Sequence, residues 1–271
     1  MKKITLILIG FILSLTTMQA QTWTQIGSDI TGEGPTDGSG YSVSLSSDGN
    51  IVAIGAPGND DNGELAGHVR VFQNISGIWE QIGEDIDGET AFDLSGRSVC
   101  LSSNGNIVAI GASQGGTWTT PPSGPGYVRI FQNFEGIWTQ IGNNINGEAL
   151  GDRSGCSVSL SSDGNIVAIG AKGNDDQGSY SGHVRVYQNI SGTWTQIGKD
   201  IDGESAGDDS GFFVSLSSSG NIVAVGAIHN DGTGNDAGHV RVYENISGTW
   251  HRLEKILMVK LPVIGLVFQL V

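Results

Sequence analysis

Helical periodicity is missing from this sequence. Between residues 21 and 250 no stretch repeats its apolar residues every three or four positions, which excludes a helical bundle or a coiled coil. Cysteine is nearly missing too: the 2 present, Cys100 and Cys156, do not make a disulfide scaffold. Aligned on the repeat described below, they sit three positions apart on equivalent strands. That offset is roughly 10 Å, too far for an unstrained bridge, so two free buried thiols are expected. Basic residues are scarce, 13 against 28 acidic ones, for a formal charge of −15. Without Lys2, Lys3 and residues 251–271 the balance is 8 against 27, near −19. Such a surface repels phosphate backbones, so nucleic acid is excluded as a partner. No zinc-ligand spacing and no Ser/His/Asp set stands out. The Gly-rich Gly55-Ala56-Pro57-Gly58-Asn59-Asp60 lacks the lysine and the helix of a phosphate cradle.

Glycine is abundant instead, 43 of 271 residues, far above the usual ~7%. It punctuates one recurring stretch, Ser42 to Ala56, which returns at Ser98–Ala112, Ser157–Ala171 and Val214–Ala227. Val43 and Leu45 alternate with serines, the pattern of a half-buried strand. Ile51 to Ile54 is apolar on both faces, the pattern of a fully buried one. Asp48-Gly49 between them reads as a two-residue hairpin turn. A third motif begins at His68-Val69-Arg70 and ends in Asn74-Ile75-Ser76-Gly77; a fourth begins at Trp79.

Trp23, Trp79, Trp138, Trp194 and Trp250 fall 56, 59, 56 and 56 residues apart. Each unit therefore contains four short strands, A (near 41–47), B (50–56), C (67–74) and D (78–86). A four-stranded antiparallel meander with two apolar faces must stack on its neighbours, and radial stacking of such sheets is an all-β propeller. The small, Ser-rich face of strand A suits the strand nearest the axis. The excess of three residues in the second unit falls in its B–C loop, 113–125, which also carries Trp118. A lone D-like segment at 22–30 precedes the first A strand. It could complete the last blade and close a four-blade ring; the alternative is an open fragment of a larger ring.

The ends differ from the propeller at 21–250. Residues 1–20 read as a secretory signal, with Lys2-Lys3, the apolar run Ile4–Leu15 and Ala20 before the cut. The run is too short to span a bilayer, so no transmembrane span remains after cleavage and a secreted or cell-surface location is expected. After Trp250 the expected TQIGKDIDGE is replaced by an apolar tail, 251–271. Loss of one base from the codons for Trp-Thr-Gln-Ile gives Trp-His-Arg-Leu, and the restored frame reads as a further D strand, loop and A strand. The tail is therefore read as a frameshifted fifth repeat, with an amphipathic or membrane tail as the competing reading.

These motifs resemble the FG-GAP repeat, the unit of integrin α-subunit propellers and of many secreted bacterial proteins. The residues that carry the resemblance are Gly211-Phe212 before strand A and Gly55-Ala56-Pro57 after strand B, with Gly170-Ala171 and Gly226-Ala227 in the same place. It covers about residues 37–250. The resemblance implies a propeller, commonly seven-bladed, in adhesion or other extracellular binding. It also implies calcium held in the A–B loop by a D-x-[DN]-x-D-G-x-x-D pattern. Here only Asp48 and Gly49, or Asp163 and Gly164, remain of that pattern. A hard cation needs six or more oxygens, so calcium at this loop is not carried over; no cofactor and no metal-site residue is expected, with calcium elsewhere left as an open alternative.

Up-and-down topology puts the D–A and B–C loops on one face of the disc. Most of the acids lie there, among them Asp60, Asp61, Asp175, Asp176, Asp208 and Asp209. With Trp118 these are the candidate binding residues. The recurring His68, His183 and His239, and Arg70, Arg129, Arg185 and Arg241, are expected to pack and to pair with a neighbouring blade's acid. The sequons at Asn74, Asn189 and Asn245 coincide with hairpin turns and are read as turn chemistry. The expected function is non-catalytic binding of a protein or glycan partner through the acidic loop face. The alternatives are a carbohydrate-active propeller enzyme with an axial carboxylate pair, or an inactive truncated fragment of a longer adhesin-like protein.

Overall fold

A computed structural model describes residues 23–116 and 121–253. The secretory signal, Trp118 and all but the first three residues of the tail lie outside them. Among the described residues there is no helix, and the strands form four antiparallel sheets. Blade 1 comprises β1 (Ser42–Leu45), β2 (Ile51–Ala56), β3 (His68–Ile75), β4 (Ile78–Gln81) and β5 (Ile86–Asp87). Blade 2 comprises β6 (Ser95–Leu101), β7 (Ile107–Ala112), β8 (Tyr127–Phe134), β9 (Ile137–Gln140) and β10 (Ile145–Asn146). Blade 3 comprises β11 (Ser157–Leu160), β12 (Ile166–Ala171), β13 (His183–Ile190), β14 (Thr193–Gln196) and β15 (Ile201–Asp202). Blade 4 comprises β16 (Ser210–Leu216), β17 (Ile222–Ala227), β18 (His239–Ile246) and β19 (Thr249–Arg252). Each is a meander in the order A-B-C-D.

Two local expectations are corrected. Strand D is two pieces, such as β4 and β5, both paired with β3 and separated by a turn in which Gly83 takes φ 74°. The A–B connection is a longer loop than the two-residue hairpin. Leu45 pairs with Val52, and the Gly49 amide donates to Ser46 O at 2.9 Å. Only Gly49, not Asp48, has positive φ, so the mirror-image two-residue turn is not formed. The Asp48 carboxylate instead accepts from Ser46 Oγ and the Asn50 amide. These bonds, with the Asn50 side-chain amide, hold its pKa down to about 2. The two-residue turn occurs at C–D, where Ser76 and Gly77 both have positive φ and Gly77 N donates to Asn74 Oδ1. Asn189 and Asn245 do the same for Gly192 and Gly248, so turn chemistry accounts for the sequon asparagines.

The core lies between blades. Ala53, Val69 and Val71 of blade 1 pack on Val99, Leu101, Val108 and Ile110 of blade 2. Blades 2 and 3, and blades 3 and 4, repeat the arrangement. Strand A lies innermost: β1 packs on β6, β6 on β11 and β11 on β16. There the serines bond across the seam. Ser42 Oγ donates to Gly96 O at 2.8 Å, and the Leu101 amide donates to Ser44 Oγ at 2.9 Å. Cys100 takes the serine's place in blade 2, its sulfur accepting from Leu160 N at 3.2 Å. Both cysteines are free, and burial pushes both thiols up.

Among the described residues the four-blade ring is not closed. Residues 23–31 form no strand and lie along blade 1, not blade 4. Trp79 Nε1 donates to Ile26 O at 2.9 Å, as Trp138, Trp194 and Trp250 donate to Ile82, Ile141 and Ile197 at 2.8 Å. The segment thus takes the position of a preceding blade's D strand. Blade 4 has its own D strand, in which Leu253 N bonds Val242 O as Ile82 N bonds Val71 O. Among the described residues both outer faces of the four-blade arc are uncovered. Val43 of blade 1 is 64% exposed and Val240 of blade 4 is 69%, against 0% for Val69, Val128 and Val184.

Candidate functional site

The D–A and B–C loops do meet on one face. Phe92 N donates to Glu64 O, Leu94 N to Leu65 O and Ser95 N to Ala66 O, tying one blade's B–C loop to the D–A loop that follows it. Several acids are used up in building this face. Asp60 accepts from Leu65 N and Asp175 from Tyr180 N, closing the B–C loops. Asp93, fully buried, accepts from Glu89 N, Thr90 N, Gln114 Nε2 and Tyr127 Oη. Asp208 is buried and accepts from Asn230 Nδ2 at 2.8 Å. Asp209 is buried with Lys172 Nζ 3.6 Å away. Five other acids, Glu33, Asp85, Glu148, Asp176 and Asp200, gather at the foot of strand C in blades 1 and 3.

His183 begins β13 and is wholly buried. Its Nδ1 faces Asp200 Oδ2 at 3.7 Å, from its own blade, and Glu148 Oε2 at 3.8 Å, from the preceding one. Asp176 of the B–C loop completes the group, with one donor atom from each of the four residues lying within 4.8 Å of the others. Arg185, two residues along β13 and so on the same face, holds Glu148 Oε1 at 3.4 Å and the Asn146 carbonyl at 2.7 Å. Neither ring nitrogen of His183 has a hydrogen-bond partner among the described residues. Burial, followed by the charge of Arg185, pulls the pKa of His183 down despite the two carboxylates, so the imidazole is neutral at pH 7. Asp202, beside His183 in the sheet, is pushed up by partial burial and then by Asp200.

Blade 1 repeats the group with Glu33, His68 and Asp85. His68 Nδ1 lies 3.5 Å from Asp85 Oδ2 and 3.8 Å from Glu33 Oε2. Arg70 holds Glu33 at 3.3 Å and Thr31 O at 2.6 Å.

Blade 2 departs from the pattern. Tyr127 stands where the histidine is and Asn144 where the aspartate is. Tyr127 Oη donates to Asp93 at 2.6 Å, and Asn144 Nδ2 donates to Glu89 Oε2 at 2.7 Å. In blade 4, Glu204 is paired with Arg241, and that contact holds its carboxyl below the usual range. His68, His183, Arg70, Arg185 and Arg241 thus do face the acid of the preceding D–A loop, as expected, whereas Arg129 donates to the Asp87 carbonyl instead.

Residues 32–72 and 146–187 match the family profile of the FG-GAP repeat. Those two stretches are FG-GAP repeats. Each matched stretch runs from the D–A loop to strand C and so includes the glutamate, the A–B turn and the histidine of one blade. No curated protein matches the sequence. Among solved structures, the chain is similar to a candidate 6-phosphogluconolactonase from Bacteroides uniformis: TM-score 0.52, 16% identity, 78% of this chain and 52% of that one. A candidate 6-phosphogluconolactonase from Bacteroides fragilis gives TM-score 0.52 and 15% identity, over 79% of this chain and 53% of that one. At these identities the likeness concerns the fold, and the chain spans about half the length of the structures it matches.

Of the sequence-derived binding candidates, Asp176 lies in the four-residue group, whereas Asp61 is exposed and accepts from Asn59 Nδ2. Asp60, Asp175, Asp208 and Asp209 are engaged in or beneath the loops, and Trp118 is outside the described residues. The sequence reading missed Glu148, His183 and Asp200 as a set because their positions are up to 52 residues apart. A signal was nevertheless there: Asp85, Asn144 and Asp200 change in step with His68, Tyr127 and His183 from repeat to repeat.

Proposed function

We propose that this FG-GAP chain is a non-catalytic binding module of a secreted or cell-surface protein, using the D–A and B–C loop face to engage a protein or glycan partner. The observation that carries the reading is the repetition of that face. Glu33, Glu89, Glu148 and Glu204 occupy one position in successive repeats, whereas an active site normally breaks such symmetry. A repeated acidic face offers many equivalent weak contacts, which suits multivalent recognition of an extended or basic partner. The signal-like residues 1–20 support export.

The test is binding of the full chain to an array of polysaccharides and basic extracellular peptides at low and high salt. We expect salt-sensitive binding that falls at least about tenfold in the Asp61→Asn/Asp176→Asn double variant, the loss of two charged contacts. Binding that ignores both the substitutions and the salt would refute the assignment to this face. The names of the structural neighbours raise the second reading, an enzyme acting on a phosphorylated sugar lactone. Such a substrate calls for free cationic groups at its phosphate, yet Arg70, Arg129 and Arg185 are buried and already bonded to Thr31, Asp87 and Asn146 carbonyls. Measurable hydrolysis of 6-phosphogluconolactone by the purified chain would overturn the non-catalytic reading.

A further inference from the structure

We propose that Glu148, Asp176, His183 and Asp200 form a binding site for a divalent transition-metal ion of the zinc type, and that Glu33, His68 and Asp85 form a second, less complete one. The argument begins with an imbalance. A buried polar group is nearly always hydrogen-bonded, and an orphaned one costs free energy. His183 is 0% exposed and has no hydrogen-bond partner on either ring nitrogen. Its Nδ1 points between two carboxylates that are too far for hydrogen bonds, at 3.7 and 3.8 Å, but close enough for one ion to touch all three. His68, 1% exposed, repeats the orphaned Nδ1.

Charge makes the same point. Three carboxylates in the blade 3 group face one guanidinium, Arg185, which holds only the Oε1 side of Glu148. The local excess of two negative charges is what one divalent cation neutralises.

Blade 2 is the built-in control. It needs no ion: with Tyr127 and Asn144 in place of histidine and aspartate, the polar atoms pair directly, Tyr127 with Asp93 and Asn144 with Glu89. The same scaffold position therefore exists in two chemical versions. One is closed by hydrogen bonds. The other is left open around an imidazole nitrogen and carboxylate oxygens. A neutral imidazole with carboxylates suits zinc and its neighbours, whereas calcium and magnesium prefer all-oxygen shells. The arginine that fixes Glu148 is the kind of outer partner that orients a metal-ligating carboxylate. The site is separate from the A–B loop, where Asp48 and Asp163 are already satisfied by their own turns.

The inference stands apart from the binding reading, because ion binding is measured with no partner present. The full chain is stripped of metal with a chelator and titrated with Zn²⁺ by calorimetry, and with Co²⁺ by visible absorption. We expect saturable binding of one ion with a second, weaker event. The tight event should survive a large excess of Mg²⁺ or Ca²⁺. Asp200→Asn, which copies the residue blade 2 has at this position, should weaken the tight event at least about tenfold to a hundredfold and leave the weaker one. Asp85→Asn should do the reverse. His183→Gln is the direct variant, and Asp200→Asn keeps the test valid if that buried change prevents folding. Absence of saturable Zn²⁺ binding up to millimolar concentration would overturn the proposal. So would binding that Asp200→Asn and Glu148→Gln leave unchanged.

Discussion

Blades 3 and 4 carry nearly the same strands in opposite surroundings. Their B strands read IVAIGA and IVAVGA, and their C strands HVRVYQNI and HVRVYENI. In blade 3 the outgoing face is sealed by blade 4: Ser157 Oγ donates to Gly211 O, and Ser159 Oγ accepts from Leu216 N. In blade 4 the same face is uncovered among the described residues, and Phe213, 65% exposed, stands where Ser157 stands in blade 3. The comparison separates what a repeat's own residues dictate from what its neighbour adds. The meander and its turns form in both surroundings. The complete burial of the apolar face forms only where a next blade is docked.

Glycine gives the sharpest way to break the comparison. A Cβ on Gly170 would collide with Gly211 O across the seam and with Ser157 Oγ, whereas the nearest atom to a Cβ on Gly226 is 3.6 Å away. Gly170→Ala should therefore cost about 3 kcal/mol or more, through forced separation of two blades. Gly226→Ala should stay within about 0.5 kcal/mol. Urea melts of the two variants check the contrast, and equal losses would mean that the seam is not closed in solution. Valine gives the next largest effect. Val184→Ala should cost about 2 kcal/mol for two buried methyls and the space they leave, and Val240→Ala under about 0.5 kcal/mol. Should the Val240 variant lose as much as the Val184 variant, something covers the outer face of blade 4.

The smallest effect is a matter of pH. Asp202 of blade 3 has a folded pKa above its unfolded one, so it adds stability below about pH 4, and that contribution is lost as the pH rises through the folded value. Asp202→Asn in metal-free protein should then raise stability slightly at pH 7, by well under about 1 kcal/mol because the carboxylate is partly solvated, and Tm with it. At pH 3 it should not. Thermal melts at the two pH values test the sign.

The blade architecture was legible because each signal is local. Alternation in Ser42–Leu45, the apolar run Ile51–Ala56 and the Asn74–Gly77 turn each act within a few residues. The A–B turn was misread because Asp48-Gly49 carries the two-residue signal, while the Asp48 side chain favours its own bonds to Ser46 and Asn50. The break in strand D was missed because Gly83 responds to the next repeat: a Cβ there would meet Gly136 and Trp138. The histidine groups were set aside for a similar reason. One copy per blade argued against convergence, but the ligand-like atoms converge within one junction, from two blades, and not across the ring.

The tryptophan bonds give the array a direction of assembly. Trp138 fastens the end of blade 1's outer strand at Ile82, Trp194 fastens blade 2's at Ile141, and Trp250 fastens blade 3's at Ile197. Each blade is thus latched by the one synthesised after it. A chain leaving the ribosome would complete blade 1 only when blade 2 has emerged, blade 2 only when blade 3 has, and blade 3 only when blade 4 has. When the junctions part under heat or force, each indole would report the loss of its own junction.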